Sequence, residues 1–546
     1  MENKMEWWKQ TSIYQIYPWS FQDSNGDGIG DLPGILRRLD EIQALGVETI
    51  WFSPFYESPG EDFGYDISDY TSIDPRFGTM ADCERLIKEI HKRKMRVVLD
   101  MVMNHTSDKH PWFLESKSST TNPKRDFYIW KKGNKKAPNN WISMVGKSGW
   151  NYDSKTDEYY YSNFLSFQPD LNYRNPKVKK TMLGVLDFWL QKGVDGFRLD
   201  IFNSIYKDEQ FRDNPFSFRF FPTPDNHDEA FFQKKQYNLN LPESFSFAKE
   251  VRKHISKYKH KPFLIGEVSG SDQVLKSFLG EKADGLNLVF QFELIHFQYK
   301  AKFFKDLLEK NETVFPNPYT PTYVLGNHDQ RRYIDRLGGD VRKAKLLVCF
   351  QFMARGVPIV YYGEEIGRKE GRLSNFFGKD PIAKMNRFLP LFLSNLLGIY
   401  INRDNCRLPM LWDDSENAGF SNGKPWLPVG SFQTTDTVKV QKKDPNSLWS
   451  HYQTLFHLRN NLGVIRDGSL KTIETENVDV LCFERENGKQ TLRVYLNFGE
   501  TGVRLDVTKK GKVLYAFGGA EIGETILLPA HSGVIIDVTG KKSLKK

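Results

Sequence analysis

A chain of 546 residues exceeds what one hydrophobic core usually organises, so about two to four folded units are expected. The net charge of +9 is modest for this length, and the basic residues are dispersed, with small concentrations at Lys131–Lys136, Lys257–Lys261 and the Lys541–Lys546 tail; this excludes the continuous basic stripe of a nucleic-acid-binding protein. No stretch nears the roughly 18 uninterrupted apolar residues of a membrane span, and Met1–Trp8 has no apolar h-region, so no membrane partner and a cytoplasmic location are expected.

Ser12–Pro18 is the first strand-like run, and a helical pattern over Leu32–Leu45 follows, closed by Gly46. Glu48–Pro54 is the second strand, the 80–94 stretch the next helix, and Arg96–Met103 the third strand. These near-continuous apolar runs alternate with helices, as in a parallel sheet covered on both faces. Further strand candidates lie at 196–201, 263–268, 285–293, 321–327 and 357–363. The eight together predict an α/β fold, a (β/α)8 TIM barrel over 1–104 and 174–471, with a long excursion at 365–430. Residues 105–173 are polar, aromatic and rich in glycine and asparagine, and read as a small domain inserted after strand three. From 472 to 546 the pattern becomes short strands with turns such as Asn487-Gly488, predicting a C-terminal antiparallel β-domain.

Three of the apolar runs stop on a carboxylate: Gly196-Phe197-Arg198-Leu199-Asp200, Phe263-Leu264-Ile265-Gly266-Glu267 and Tyr323-Val324-Leu325-Gly326-Asn327-His328-Asp329. One such acid is unremarkable, but apolar strands that repeatedly end in acids are costly unless the acids are used. Strand ends of a parallel barrel converge on one pocket, and two carboxylates facing one bond are the minimal equipment for cleaving a glycoside. The four cysteines, Cys83, Cys349, Cys406 and Cys482, form no CxxC pair, which argues against structural zinc and suits reduced thiols.

Four blocks in order, Asp100–His105, Gly196–Asp200, Gly266-Glu267-Val268 and Asn327-His328-Asp329, resemble the α-amylase family of glycoside hydrolases, and within it the oligo-1,6-glucosidase and α-glucosidase branch. Gln168-Pro169-Asp170-Leu171-Asn172 resembles that branch's signature at the end of the inserted domain. The resemblance implies Asp200 as nucleophile, Glu267 as acid and then base, and Asp329 as the acid that holds sugar hydroxyls and favours a distorted, cationic transition state. It implies substrate contacts from Asp62, Tyr65, His105, Arg198, His328 and Arg407. Arg198 lies two residues before Asp200 and therefore on the same strand face, where it would keep that carboxylate ionised. Tyr65 would stack on the terminal glucose, while Asp62 and Arg407 would close the pocket around it and favour exo-action.

Asp23-Ser24-Asn25-Gly26-Asp27-Gly28-Ile29-Gly30-Asp31 alternates oxygen donors with tight-turning glycines, which suits a hard cation. The family resemblance implies a structural calcium, or magnesium in its place, on Asp23, Asn25, Asp27, Asp31 and the carbonyl of Ile29, and no organic cofactor; an Asx-rich turn without metal is the plainer alternative. Ile201 after the nucleophile leans towards 1,6 cleavage, whereas Val268, Cys406, Leu408 and the 201–262 segment depart from the branch's pattern. The expected activity is a retaining exo-α-glucosidase on isomalto-oligosaccharides, maltose or sucrose. A glucosyl transferase or sucrose- or maltose-isomerising enzyme shares every catalytic residue, and a non-catalytic scaffold relative would be expected to lose the acid trio and add a membrane helix. The chain is expected to work on small α-glucosides as a monomer or weak homo-oligomer.

Overall fold

The computed structural model describes residues 6–540 apart from 135, 222–227, 397–398, 507–508 and 510. Met1–Met5, Lys135, Pro222 and the Lys541–Lys546 tail therefore lie outside the described residues. Eight parallel strands form the barrel: β1 (Ile13–Ile16), β2 (Thr49–Phe52), β3 (Arg96–Met101), β4 (Gly196–Leu199), β5 (Phe263–Gly266), β6 (Leu288–Val289), β7 (Thr322–Val324) and β8 (Val357–Tyr361). Their order, β6-β5-β4-β3-β2-β1-β8-β7, leaves β6 and β7 at the two ends. Side chains bridge that seam. Gln291 N donates to Thr322 Oγ1 (3.0 Å), Thr322 N donates to Gln291 Oε1 (2.9 Å), and Thr322 Oγ1 donates to Val289 O (2.9 Å).

Ile13, Trp51, Val98, Ile265, Val324 and Ile359 belong to one buried cluster, drawn from six different strands, that fills the barrel. The strands are shorter than the apolar runs suggest, because the chain bends away directly after each strand to build the pocket rim. Helix 32–45 is two helices, Leu32–Arg37 and Leu39–Leu45, broken at Arg38, whose backbone (φ −102°, ψ 3°) leaves the helical range. Gly46 closes the second with φ +99°, a conformation glycine takes without a Cβ clash. Helix Met80–Lys92 starts on a reciprocal Thr79–Asp82 capping box.

Between β3 and β4 the chain makes a three-stranded antiparallel sheet, Trp130–Lys131, Glu158–Tyr161 and Trp150–Asp153, around a cluster of Ile129, Trp141, Trp150 and Tyr161. A buried ion pair between Lys207 and Asp170, with Lys207 Nζ also donating to Asn104 Oδ1 (2.9 Å), fixes that sheet to the barrel top. Beyond the barrel, strands Ser469–Ile473, Val480–Glu486, Thr491–Asn497, Gly533–Asp537 and Lys512–Phe517 form a five-stranded antiparallel sheet, accompanied by a three-stranded one. Among the described residues no helix is long and apolar enough to cross a membrane.

Candidate active site

Arg198 occupies the centre of the barrel's C-terminal end because register puts it there. It lies level with Asp100 on β3 and with Ile265 on β5, and Asp200 and Glu267 each follow two residues further along, on the same inward face. Its Nη1 meets both oxygens of Asp100 (2.7 and 2.9 Å) and Asp200 Oδ1 (2.8 Å), while Nη2 meets Glu267 Oε2. One buried guanidinium thus serves three carboxyl groups. Its single charge cannot neutralise three anions, and both Asp100 and Asp200 are pushed up beside it. Burial pushes Asp200 well up, Arg198 pulls it back, and Glu267, Asp100 and Asp329 push it up again. Burial likewise raises Asp100 to about 6 against the pull of Arg198 and Tyr65. Ile201, immediately after Asp200, has φ +40° and ψ +42°, a left-handed conformation that a β-branched residue adopts only under constraint.

The opposite wall is a second ion network. Asp329 accepts from Arg403 Nη1 (3.0 Å) and Arg407 Nη2 (2.8 Å) on Oδ1 and contacts His328 Nε2 (3.0 Å) on Oδ2. Burial would raise it, but His328, Arg403 and Arg407 outweigh burial and hold it well below the usual carboxylate range. Burial lowers His328, whose Nδ1 is 2.8 Å from Gln15 Nε2 and whose Nε2 is 2.6 Å from Tyr65 OH. The Tyr65 hydroxyl also donates to Asp100 Oδ2 (3.0 Å), joining the two networks, and its ring stacks on His328 at 5.2 Å between centroids. Asp62 accepts from Arg403 Nη2 (2.8 Å) and Gln168 Nε2 (3.0 Å).

These groups line one cleft of about 560 Å3, a volume that takes a small organic ligand. Asp62, Tyr65, His105, Asp200, Glu267, His328 and Asp329 all reach it. His105 is neutral, lowered by burial to about 3, and its ring nitrogens face Tyr65 O (3.2 Å) and Asn104 Nδ2 (3.2 Å). Arg198 sits beneath the carboxyl groups. Arg407 differs from expectation: it is 1% exposed and lies behind Asp329, with Nε donating to His328 O (2.7 Å). Arg403, four residues earlier, lines the cleft instead and bridges Asp62 and Asp329, its Nε held by buried Asp380 (2.5 Å). Asp100, Gln168 and Asp380 are further members of these networks, beyond the residues that the motifs assign to the site. The first two stood inside recognised blocks, whereas nothing around Asp380 distinguishes it from a surface acid.

The 23–31 loop lies away from the cleft. Side chains of Asp23, Asn25 and Asp27 fold back to accept from the backbone N–H two residues on (2.9, 2.9 and 2.8 Å). Asp31 caps helix Leu32–Arg37 through Gly34 N (2.6 Å) and accepts from Ser24 N (2.9 Å). Among the described residues no three acidic, histidine or cysteine side chains converge as a ready-made metal cage. The donor set, three carboxylates with an amide and a carbonyl, nonetheless fits a hard cation in its chemistry. Asp23 N also donates to Phe420 O (3.0 Å) and Trp426 N to Gly28 O (2.8 Å), so the loop clamps the excursion that follows β8.

Residues 15–468 match the family model described as alpha amylase, catalytic domain. The chain is 38% identical over 531 residues to an oligo-1,6-glucosidase of Parageobacillus thermoglucosidasius, covering 90% of this chain and 91% of the relative. Its structure is similar to that of an α-glucosyl transfer enzyme (TM-score 0.88, 35% identity, 98% and 100% of the two chains). It is also similar to an isomaltulose synthase mutant from Erwinia rhapontici NX5 in complex with its natural substrate sucrose (TM-score 0.86, 32% identity, 98% and 100%). The chain belongs to the α-amylase family and is a glycoside hydrolase.

Proposed function

We propose that this member of the α-amylase family is a retaining, exo-acting α-glucosidase that cleaves isomalto-oligosaccharides, maltose or sucrose by double displacement. The observation that carries the reading is that adjacent nitrogens of the Arg198 guanidinium bind Asp200 and Glu267. Carboxyl groups held on adjacent nitrogens of one guanidinium lie near each other, which supports the closer spacing of a retaining pair (about 5–5.5 Å) over the about 6.5–9.5 Å that an inverting pair leaves for water. Asp200 attacks the anomeric carbon while Glu267 gives its proton to the leaving oxygen. Water then takes the aglycone's place, Glu267 removes its proton, and glucose departs with the configuration it had. Arg198 on Asp200 Oδ1 favours the ionised form that attack requires, and the positive charge developing on the sugar is then met by that carboxylate. Asp329, held anionic by two arginines, faces that same charge.

Asp62, Arg403, His328 and Asp329 would hold the hydroxyls of one terminal glucose, and Tyr65 would cover its ring. A pocket closed by an arginine-bridged pair of acids supports exo-action on single glucosyl units. The likeness to a transfer enzyme and an isomaltulose synthase favours a second reading, in which a sugar hydroxyl intercepts the glucosyl-enzyme. Incubation with isomaltose, maltose and sucrose in separate tubes separates the two. Mostly free glucose marks a hydrolase, and new di- or trisaccharides early in the reaction mark a transferase or isomerase.

A structural Ca2+, or Mg2+ in its place, is proposed on Asp23, Asn25, Asp27, Asp31 and the Ile29 carbonyl, supported by the donor set; it would stiffen a loop remote from the chemistry. Work in the cytoplasm as a monomer or weak oligomer is proposed too. The four cysteines, all buried and free, suit a reducing compartment.

A further inference from the structure

The mouth of the cleft is lined from segments that the catalytic reading does not use, residues 214–221 and 228–234 after β4 and residues 386–394 and 399–401 after β8. Phe220, Phe221 and Phe231 after β4 line the cleft together with Leu389 and Ile399 after β8, and Met144 and Val145, in a turn of the segment between β3 and β4, line it too. Among the described residues the lining there is mostly apolar; its polar members are Asn203, Ser269, Gln330, Asn386 and Tyr400, of which Asn203 Nδ2 already donates to Ser269 Oγ (3.1 Å) and Asn386 Nδ2 to Ile382 O (2.9 Å). The rings continue outward as a ladder. Phe220 meets Phe231, Phe221 and Phe232 at 5.7, 4.9 and 5.1 Å, and Phe232 stacks on Phe216 at 6.2 Å. Phe220 and Phe221 remain 43% and 47% exposed, so the fold does not need them as core.

The backbone supplies an independent observation. Ala230 pairs with Gln233, so Phe231 and Phe232 are the two central residues of a hairpin turn, and both have positive φ (+54° and +62°). Two-residue hairpins want Asn-Gly or a similar pair there, because those residues enter the left-handed region with little strain and phenylalanine does not. The strained pair is held by hydrogen bonds from Phe231 N to Phe220 O (2.8 Å) and from Phe232 N to Arg219 O (2.9 Å). Strain retained at a cleft mouth points to use.

We infer that this platform is the aglycone subsite and that it selects α-glucosides whose aglycone is apolar, an alkyl or aryl group, over those bearing a second sugar. The inference rests on the α-glucosidase reading. A second sugar placed here would lose hydrogen bonds to water and find aliphatic side chains in return, whereas an alkyl chain would leave water at no polar cost. Aromatic faces alone would also suit a sugar; the aliphatic half of the lining is what discriminates.

The test is a homologous series of methyl, butyl and hexyl α-glucosides, read as kcat/KM on the wild-type chain and as Kd by calorimetry on the Asp200→Asn variant. Full burial would give about fourfold per methylene, and a platform half in solvent about twofold, so kcat/KM and affinity are expected to rise roughly 30-fold between methyl and hexyl. In an F231N/F232G variant, whose turn is relaxed and whose rings are gone, the hexyl-to-methyl ratio is expected to fall below about 3. A flat series with methyl glucoside turned over overturns the inference and leaves the glucosidase reading standing. A steep Kd series with no turnover of any glucoside supports the subsite and overturns the glucosidase reading. A steep series that survives F231N/F232G overturns the platform.

Discussion

At the closed end of the cleft, polar atoms pair with one another: Arg198 with three carboxyl groups, Arg403 with Asp62, Asp329 and Asp380, and Tyr65 with Asp100 and His328. At the open end, phenylalanine rings stand partly in solvent on a strained turn. The first region is dictated by strand register, since residues two apart on neighbouring parallel strands must meet. The second is carried by excursions whose course the barrel does not determine. Chemistry that every glycoside bond needs sits on the rigid part, and choice of aglycone sits on the variable part.

Substitutions at the two ends should therefore fail in different ways. Asp200→Asn should lower kcat by about 10⁴-fold or more while leaving the fold intact, as loss of a covalent nucleophile does; circular dichroism and steady-state rates check both halves, and near-normal turnover would remove Asp200 from its role. Arg403→Lys should lower kcat/KM by about 100-fold, chiefly through KM, because one ammonium cannot replace a guanidinium that bridges Asp62, Asp329 and Asp380. Arg407→Lys, one layer back, should cost about 2–3 kcal/mol of stability with a smaller effect on KM. The reverse ranking would restore Arg407 as the residue that reaches sugar.

The pH dependence probes the two raised carboxyls, Asp200 and Asp100. Asp200 must be ionised to attack, and burial together with neighbouring carboxylates raises it. Activity should therefore be lost as pH falls through the titration of the cluster, in which Asp100 lies near 6. Asp100→Asn removes one negative neighbour, which lowers Asp200, so the acid limb of the residual kcat/KM should move to lower pH. Movement the other way would show that Asp100 acts on Arg198 alone. The smallest effect belongs to the loop at 23–31: chelation should lower the melting midpoint by about 1–3 °C without changing kcat, and added Ca2+ should restore it. No shift, with metal analysis showing none bound, would leave the loop as an Asx-turn network.

Much of the closed end was legible because strand periodicity and short blocks report it directly. Asp200, Glu267 and Asp329 are strand-end acids, and Arg198 is placed by period two. Arg403 and Arg407 could not be ranked from sequence, since both lie in one short helical turn, four residues apart, and only the packing behind Asp329 separates them. Asp380 was invisible because its role comes from a contact 23 residues away. The seam between β6 and β7, bridged by Gln291 and Thr322, and the Phe231-Phe232 turn follow from tertiary pairing that no local pattern announces.

The central claim is that Asp200 forms a glucosyl-enzyme which Glu267 then opens to water. Time-resolved proton NMR of the glucose released from 4-nitrophenyl α-glucoside, whose leaving group is not a sugar, tests it most directly, before the anomers equilibrate. The account predicts α-glucose first, with the β-anomer appearing only by mutarotation. Initial release of β-glucose would mean single displacement, and the double-displacement assignment of Asp200 and Glu267 would be wrong.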